Sequence, residues 1–177
     1  KLPPSDPGAF FGPDAAGCSF TAEVRGLMHS MDTAPGLPAL QRASTGIQAL
    51  ADRLIGLAPA EALTHLISTL NDTLTRRLID LETANAGFGG MSWCWIALGS
   101  EGRQAQTFAS DQDNGIVFDD SVAPEDGRGL LLPLALRINQ ALAACGFTLC
   151  KGQIMASNPQ WCLSLREWRE RFTGWMI

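Results

Sequence analysis

The 177-residue sequence predicts an α+β protein in which a helical hairpin precedes a region of short strands and further helices. Two observations support this prediction. From residue 37 to residue 86, apolar side chains recur every three or four positions, which is the spacing of one helical face. Short apolar runs bounded by glycine follow, and such runs are typical of strands. With 46% apolar and 18% charged residues, the chain is expected to fold around a packed core.

The composition argues against two classes of function. A net charge of −5 at pH 7 disfavours the basic surfaces that bind nucleic acid or anionic membranes. A membrane-spanning helix needs about 20 apolar residues, and the longest apolar runs, 93–98 and 130–136, are far shorter. The five cysteines form no Cys-x-x-Cys pair, which favours free thiols in a reducing compartment. We therefore expect a cytoplasmic protein with no membrane segment and no nucleic-acid partner.

The N-terminal half has two predicted parts. Residues 1–36 are predicted to be a linker or arm with one short helix near 22–30, because proline and glycine are concentrated there. Residues 37–86 form the predicted hairpin, in which residues 56–59 separate two amphipathic helices. We expect the hairpin to be a structural element or the interface of a homodimer.

Residues 87–177 are predicted to form one strand-containing domain, truncated on its C-terminal side. The run 93–98 is apolar on both faces, which predicts a buried central strand. In the last helix, Trp168, Phe172 and Trp175 share one face, so each ring is predicted to be largely buried. The predicted elements are strand 93–98, helix 100–109, strand 114–118, helix 124–145, a third strand over 147–155 kinked at Gly152, and a helix over 165–175 with a capping box at Ser164.

The polar stretch after the first predicted strand contains the candidate binding residues. A strand, a tight turn at Gly99 and a helix would bring free backbone N–H groups to one point, which suits a phosphate. Ser100 adds a hydroxyl and Arg103 a planar cation, both good partners for phosphate oxygens. Asp111 and Asp113 are two residues apart, so on a strand their carboxylates project to the same side. Paired carboxylates beside bound phosphates indicate a Mg²⁺ site.

Other motifs with similar residues fit this stretch less well. No Gly-Lys-Ser/Thr follows the glycines, so the stretch is not a P-loop. An EF-hand is disfavoured because Gly115 comes one place early and Val122 stands where a bidentate glutamate is needed. A plain turn with solvated aspartates stays open as an alternative.

The joint spacing of three segments resembles a known family. Residues 97–103, 106–107 and 110–114 are similar to a nucleotidyltransferase family related to the N-terminal domain of PII-protein uridylyltransferase. That family belongs to the DNA polymerase β-like nucleotidyltransferase superfamily. The resemblance covers roughly residues 37–175 and implies a mixed β-sheet flanked by helices, preceded by the helical hairpin.

The resemblance also implies a function and a set of site residues. The implied reaction is a uridylyltransferase-like transfer of a nucleoside monophosphate from an NTP to an acceptor hydroxyl, with Mg²⁺ or Mn²⁺ as cofactor. A protein acceptor and a signalling role are expected, with regulatory CBS or cyclic-nucleotide-binding domains ahead of the transferase unit. The expected catalytic metal ligands are Asp111 and Asp113. The expected nucleotide-binding residues are Gly99, Ser100, Gly102, Arg103 and Ser110.

One departure from the superfamily pattern leaves the activity open. The superfamily uses a third carboxylate on a neighbouring strand as a base, and the matching segment here, 149–154, contains none. Its best-placed side chain is predicted to be Gln153, which cannot accept a proton near pH 7. We therefore expect weak transfer or none from this chain alone. The alternatives are a nucleotide-sensing module and a helical dimerisation scaffold with a vestigial transferase fold.

Overall fold

The computed structural model describes residues 15–84, 86–88, 90–107 and 110–176. The first fourteen residues of the predicted arm lie outside this part of the chain. The described residues divide into two compact units. The first unit contains the residues up to Leu81 together with 104–107, and the second contains 82–103 and the residues from Ser110 onward.

The first unit is helical. Its predicted hairpin is confirmed, because the observed helices begin and end close to the predicted positions. The short helix expected at 22–30 is part of a longer one. The three helices are α1 (Ala15–Asp32), α2 (Leu37–Leu54) and α3 (Ala60–Thr83).

Helix α1 packs against α2. A Cβ atom at Gly46 of α2 would lie only 2.7 Å from Leu27 Cδ2 of α1, so the absence of a side chain allows close approach. Val24 and Met31 of α1 are at most 1% exposed. This packing explains why α1 belongs to the compact unit although proline-rich sequence precedes it.

Helix α3 is fixed to the turn that joins the first two helices. Arg77 donates from Nε and Nη2 to the carbonyl oxygen of Ala34, at 3.0 and 2.7 Å. The apolar faces of α2 and α3 are buried, as the 3.6-residue pattern predicts. Their least exposed members are Leu40, Leu50, Leu54, Leu70, Leu74 and Leu78.

The second unit combines strands and helices. Its strands are β1 (Trp93–Ala97), β2 (Asp111–Gln112), β3 (Asn114–Phe118), β4 (Thr148–Leu149) and β5 (Cys162–Ser164). Its helices are α4 (Gly99–Gly102), α5 (Pro124–Ala144), a 3-10 helix (Pro159–Trp161) and α6 (Leu165–Trp175). The α+β class is confirmed.

A mixed three-stranded sheet forms the centre of this unit. Strand β3 lies between β1, to which it is antiparallel, and β5, to which it is parallel. The prediction that 93–98 is the central strand is wrong, because β1 is at the edge in the described sheet and its Cys94 is exposed. A short apolar run does not encode whether one or two neighbouring strands pair with it. Ile116 and Phe118 of β3 are at most 1% exposed and form the buried centre.

Two further elements differ from the sequence prediction. The helix expected over 100–109 ends at Gly102, and Gln104 adopts a left-handed backbone with φ of 55° that a helix does not contain. The third strand expected over 147–155 is reduced to the two residues of β4, which pair in parallel with β2. The third strand of the mixed sheet is instead β5, whose three residues are too few to show a sequence period.

The two long helices of this unit confirm their predictions. Helix α6 begins with the predicted capping box, in which Ser164 Oγ accepts from the Glu167 N–H and Glu167 Oε2 accepts from the Ser164 N–H. Arg128 of α5 donates to Glu167 Oε1 at 2.9 Å, which ties α5 to α6. No described helix is both long and apolar enough to cross a membrane.

The aromatic stripe of α6 is buried only in part. Trp168 is 3% exposed, and its Nε1 donates to the Ile116 carbonyl oxygen of β3 at 2.8 Å. Phe172 and Trp175 are 49% and 57% exposed, so the prediction of burial is wrong for these two rings. The helical spacing of apolar residues predicts which side chains share a face. Their burial also requires that another element of the fold packs along the whole length of that face.

Candidate functional site

The two predicted metal ligands lie at the junction of β2 and β3 in the second unit. Asp111 begins β2, and Asp113 is the single residue between β2 and β3. The Leu98 N–H donates to the Asp113 carbonyl oxygen at 2.8 Å, so the residue after β1 is fixed to the residue before β3. Both aspartate side chains are half-buried.

A third potential ligand, Cys150, joins these carboxylates. In the parallel pair β2 and β4, Asp111 is paired with Thr148 and Gln112 with Leu149. The same register continued by one residue brings Cys150 beside Asp113. Potential ligand atoms of Asp111, Asp113 and Cys150 all lie within 4.8 Å of one another. Within the described ranges, no other group of three or more His, Cys, Asp or Glu residues meets this condition.

The backbone of Gly99 lies against the Asp113 carboxyl group. A Cβ atom at residue 99 would be 2.9 Å from Asp113 Cγ, and φ is +52°, a conformation that favours glycine. At Gly102, a Cβ atom would be 2.7 Å from the Ala97 carbonyl oxygen. Both glycines therefore allow the chain after β1 to turn back tightly beside Asp113.

The remaining predicted nucleotide-binding residues lie on the same two segments. Ser100 is half-buried in α4, and Ser110 is half-buried immediately before Asp111. Arg103 is exposed directly after α4. Helix α4 has only four residues. Its dipole therefore attracts a phosphate less strongly than the dipole of a longer helix would. Backbone N–H groups of the turn and the Arg103 guanidinium remain as groups that can meet a phosphate.

Two glutamines after Arg103 belong to the first compact unit. The Gln106 N–H donates to Ser68 Oγ at 3.0 Å, and Gln106 is 1% exposed. Gln104 Nε2 donates to Asp72 Oδ2 at 2.7 Å. Burial raises the pKa of Asp72, while this hydrogen bond and nearby Arg76 act against that rise. Gln106, which is part of the resemblance, therefore has a structural role in α3 packing.

Three buried side-chain amides, which we call the amide cluster, flank the aspartates. Asn139 of α5 donates from Nδ2 to Gln112 Oε1 at 2.8 Å and to Asn114 Oδ1 at 3.0 Å. Its own Oδ1 accepts from the Ser157 N–H at 3.1 Å. Asn114 Oδ1 also accepts from the Ala156 N–H at 2.8 Å. The cluster thus fixes the residues on both sides of Asp113 to α5 and to the 156–157 turn.

Sequence reasoning missed Asn139 although a signal was present. The buried residues Ala135, Ile138 and Leu142 define the inner face of α5, and Asn139 lies on that face. An amide at such a position needs hydrogen-bond partners, so it marks a buried polar contact.

The structure corrects the prediction that Gln153 is the third side chain beside the two aspartates. Gln153 is exposed in a turn with φ of 54°, and its N–H donates to the Cys150 carbonyl oxygen at 3.0 Å. The side chain beside the aspartates is therefore that of Cys150, three residues earlier. Burial raises the pKa of the Cys150 thiol, and its hydrogen bond and charge interaction with Asp113 raise it further. The superfamily pattern implies a carboxylate on this segment, and a thiol does not match that pattern.

Comparison with known families gives a match. The family described as Putative nucleotidyltransferase DUF294 matches residues 45–177, about three quarters of the chain. The chain belongs to this family. The match includes all the strands among the described residues and all described residues of the site, so the resemblance inferred from residues 97–114 is confirmed. Comparison with curated proteins and with solved structures gave no match.

Proposed function

We propose that this member of the DUF294 family is a divalent-metal-dependent nucleotidyltransferase. It transfers a nucleoside monophosphate from an NTP to an acceptor hydroxyl and releases pyrophosphate. The observation that supports this proposal is the convergence of Asp111, Asp113 and Gly99 at one point of a domain from this family. A protein acceptor and a regulatory role are part of the proposal, in keeping with the family resemblance.

The donor set fits a divalent cation. Carboxylate oxygens of Asp111 and Asp113 are ligands that Mg²⁺ and Mn²⁺ prefer. When bound, the cation supplies positive charge for the triphosphate and the leaving pyrophosphate. The half-buried position of the aspartates keeps them open to a nucleotide, while their backbone is held by β1 and β3.

The glycine turn is proposed to hold the triphosphate. Gly99 leaves the space beside the Asp113 carboxyl group free of a side chain. The Ser100 and Ser110 hydroxyls can donate to phosphate oxygens. Gly102 permits the tight turn, and the exposed Arg103 can pair with phosphate in a bidentate manner. These groups are proposed to bind the triphosphate together.

A second candidate function is nucleotide sensing without transfer. It is favoured by one observation, namely that the third potential ligand beside Asp111 and Asp113 is the thiol of Cys150 and not a carboxylate. Burial raises the pKa of this thiol, so in the metal-free protein it is protonated at neutral pH and does not act as a base. Binding without turnover distinguishes this function from transfer.

Titration calorimetry of the 177-residue chain with each NTP tests the proposal, in the presence and absence of Mg²⁺ or Mn²⁺. Asp111→Asn and Asp113→Asn should each weaken binding by at least about tenfold, since even changes outside the ligand set often cost this much. Asp126→Asn removes an exposed carboxylate from the first turn of α5 and should leave affinity unchanged. Equal affinity with and without the cation would overturn the metal assignment.

Pyrophosphate release then distinguishes the two candidate functions. The assay uses the same chain, each NTP and candidate acceptor proteins. Metal-dependent release that Asp113→Asn abolishes supports transfer. Metal-dependent binding of an NTP with no release above the Asp113→Asn background supports sensing and overturns the transferase proposal for this chain.

A further inference from the structure

We infer that Cys150 is a protein ligand of the site's cation, and that its sulfur makes the site prefer first-row transition ions to Mg²⁺. This inference rests on the proposed function, because it concerns the same metal site. It goes further by naming the third ligand and the class of cation. The expected order of affinity is Mg²⁺ weakest, then Mn²⁺, with Co²⁺ and Zn²⁺ tighter.

The spacing of the three side chains supports shared coordination. Metal–sulfur bonds of about 2.3 Å and metal–oxygen bonds of about 2.0–2.2 Å place two ligand atoms of one ion no more than about 4.5 Å apart. The ligand atoms of Asp111, Asp113 and Cys150 lie within 4.8 Å of one another. Small side-chain rotations are therefore sufficient to bring all three onto one cation.

The segment that carries the thiol is held in place by the backbone. The Asn114 N–H donates to the Ile154 carbonyl oxygen at 3.0 Å, which fixes the turn after Cys150 to the first residue of β3. A Cβ atom at Gly152 would lie 3.6 Å from Cys150 Sγ, so the turn closes around the sulfur. Cys150 is 7% exposed. The thiol is thus positioned beside the aspartates by the fold and is not a mobile surface group.

The chemistry of the donor set determines the cation class. Mg²⁺ takes oxygen ligands and gains little from sulfur, whereas thiolate ligands favour softer ions. A site of two carboxylates and one thiolate therefore discriminates against Mg²⁺ relative to an all-oxygen site. Binding replaces the thiol proton, so each bound cation releases one proton and affinity rises with pH.

The first test is spectroscopic and needs no catalytic turnover. Co²⁺ is titrated into the 177-residue chain, and the absorption band from sulfur-to-cobalt charge transfer is recorded. The band should appear in the unaltered chain and in Cys94→Ser, which removes an exposed thiol. It should be lost in Cys150→Ser and in Asp113→Asn. Persistence of the band in Cys150→Ser would overturn the inference.

A second variant tests the cation preference directly. Cys150→Asp produces an all-oxygen site, so the ratio of Zn²⁺ to Mg²⁺ affinity should fall relative to the unaltered chain. An unchanged ratio contradicts the role of sulfur. Tryptophan fluorescence spectra of each variant report whether the second unit is folded.

Thiol protection in the unaltered chain provides a readout that does not depend on how a variant folds. Saturating Co²⁺ should slow alkylation of Cys150, because a sulfur bound to a cation is not free to attack the reagent, and should leave the alkylation rate of Cys94 unchanged. Equal alkylation rates with and without Co²⁺ would overturn the inference.

Failure of the inference differs from failure of the proposed function. If the unaltered chain binds Mn²⁺ through Asp111 and Asp113 but gives no charge-transfer band with Co²⁺, the aspartate site stands and the cysteine ligand is refuted. If no divalent cation binds with or without NTP, both are refuted.

Discussion

Replacing Asn139 with alanine tests whether the amide cluster holds the aspartate segment in place. Asn139 is 1% exposed, and its side chain makes three hydrogen bonds, to Gln112, Asn114 and the Ser157 N–H. The substitution removes all three at once. Asn114 Oδ1 keeps a partner in the Ala156 N–H, whereas Gln112 Oε1 and the Ser157 N–H lose the partner that the structure shows.

The expected cost follows from these two groups. A buried polar atom without a partner costs about 1–3 kcal/mol. Two such atoms therefore lower the free energy of unfolding by about 2–6 kcal/mol, toward the lower end if water enters the space left by the side chain. This is a large fraction of the stability of a typical domain, about 5–15 kcal/mol.

Urea unfolding, monitored by tryptophan fluorescence, measures this loss of stability in the second compact unit. All five tryptophans, at 93, 95, 161, 168 and 175, lie in the second compact unit together with Asn139. Gln140→Ala is the matched control, because Gln140 is the next residue of α5 and is exposed. Its effect should stay within about 0.5 kcal/mol.

The variant Asn139→Asp distinguishes the effect of losing the Nδ2 donor from the effect of losing side-chain volume. Aspartate has nearly the same shape, but its carboxylate would face the acceptor oxygens of Gln112 and Asn114. It should therefore destabilise at neutral pH even though no cavity forms. If Asn139→Ala and Gln140→Ala unfold at the same urea concentration, the amide cluster does not hold the segment and the reasoning fails.

Two further predictions follow from shifted pKa values. Burial opposes ionisation of Glu167, but the Ser164 N–H and Arg128 outweigh it and lower its pKa. The stabilisation from its carboxylate is therefore complete above about pH 4.5, the usual pKa, and is lost as pH falls through the lower folded value. Glu167→Gln should reduce the urea midpoint at pH 7, and its difference from the unaltered chain should shrink as pH falls below about 4.5; a difference that is constant with pH contradicts this. Burial raises the pKa of Cys145 to about 11 and that of Cys162 to about 12, so at pH 8 alkylation should modify exposed Cys94 well before either. Mass spectrometry of the alkylated peptides checks this, and equal rates would contradict it.

The sequence alone determined four of the described helices and the local motif. Spacing of apolar side chains predicted α2, α3 and α5, and the residues Ser164 and Glu167 predicted the capped start of α6. These features depend on residues within a few positions of one another, so they can be read locally. The spacing from residue 97 to residue 114 likewise indicated the family that the comparison confirms.

The tertiary structure decided which strands pair and which side chains meet. Strand β3 pairs with β5 across more than 40 residues, and nothing local marks the three residues of β5 as a strand. Asp113 and Cys150 are 37 residues apart in the sequence, and only the parallel register of β2 and β4 brings them together. Strand pairing is a contact between remote segments whose register depends on the packing of the whole unit. Local patterns could therefore identify the paired aspartates, but only the folded sheet identifies the third side chain beside them.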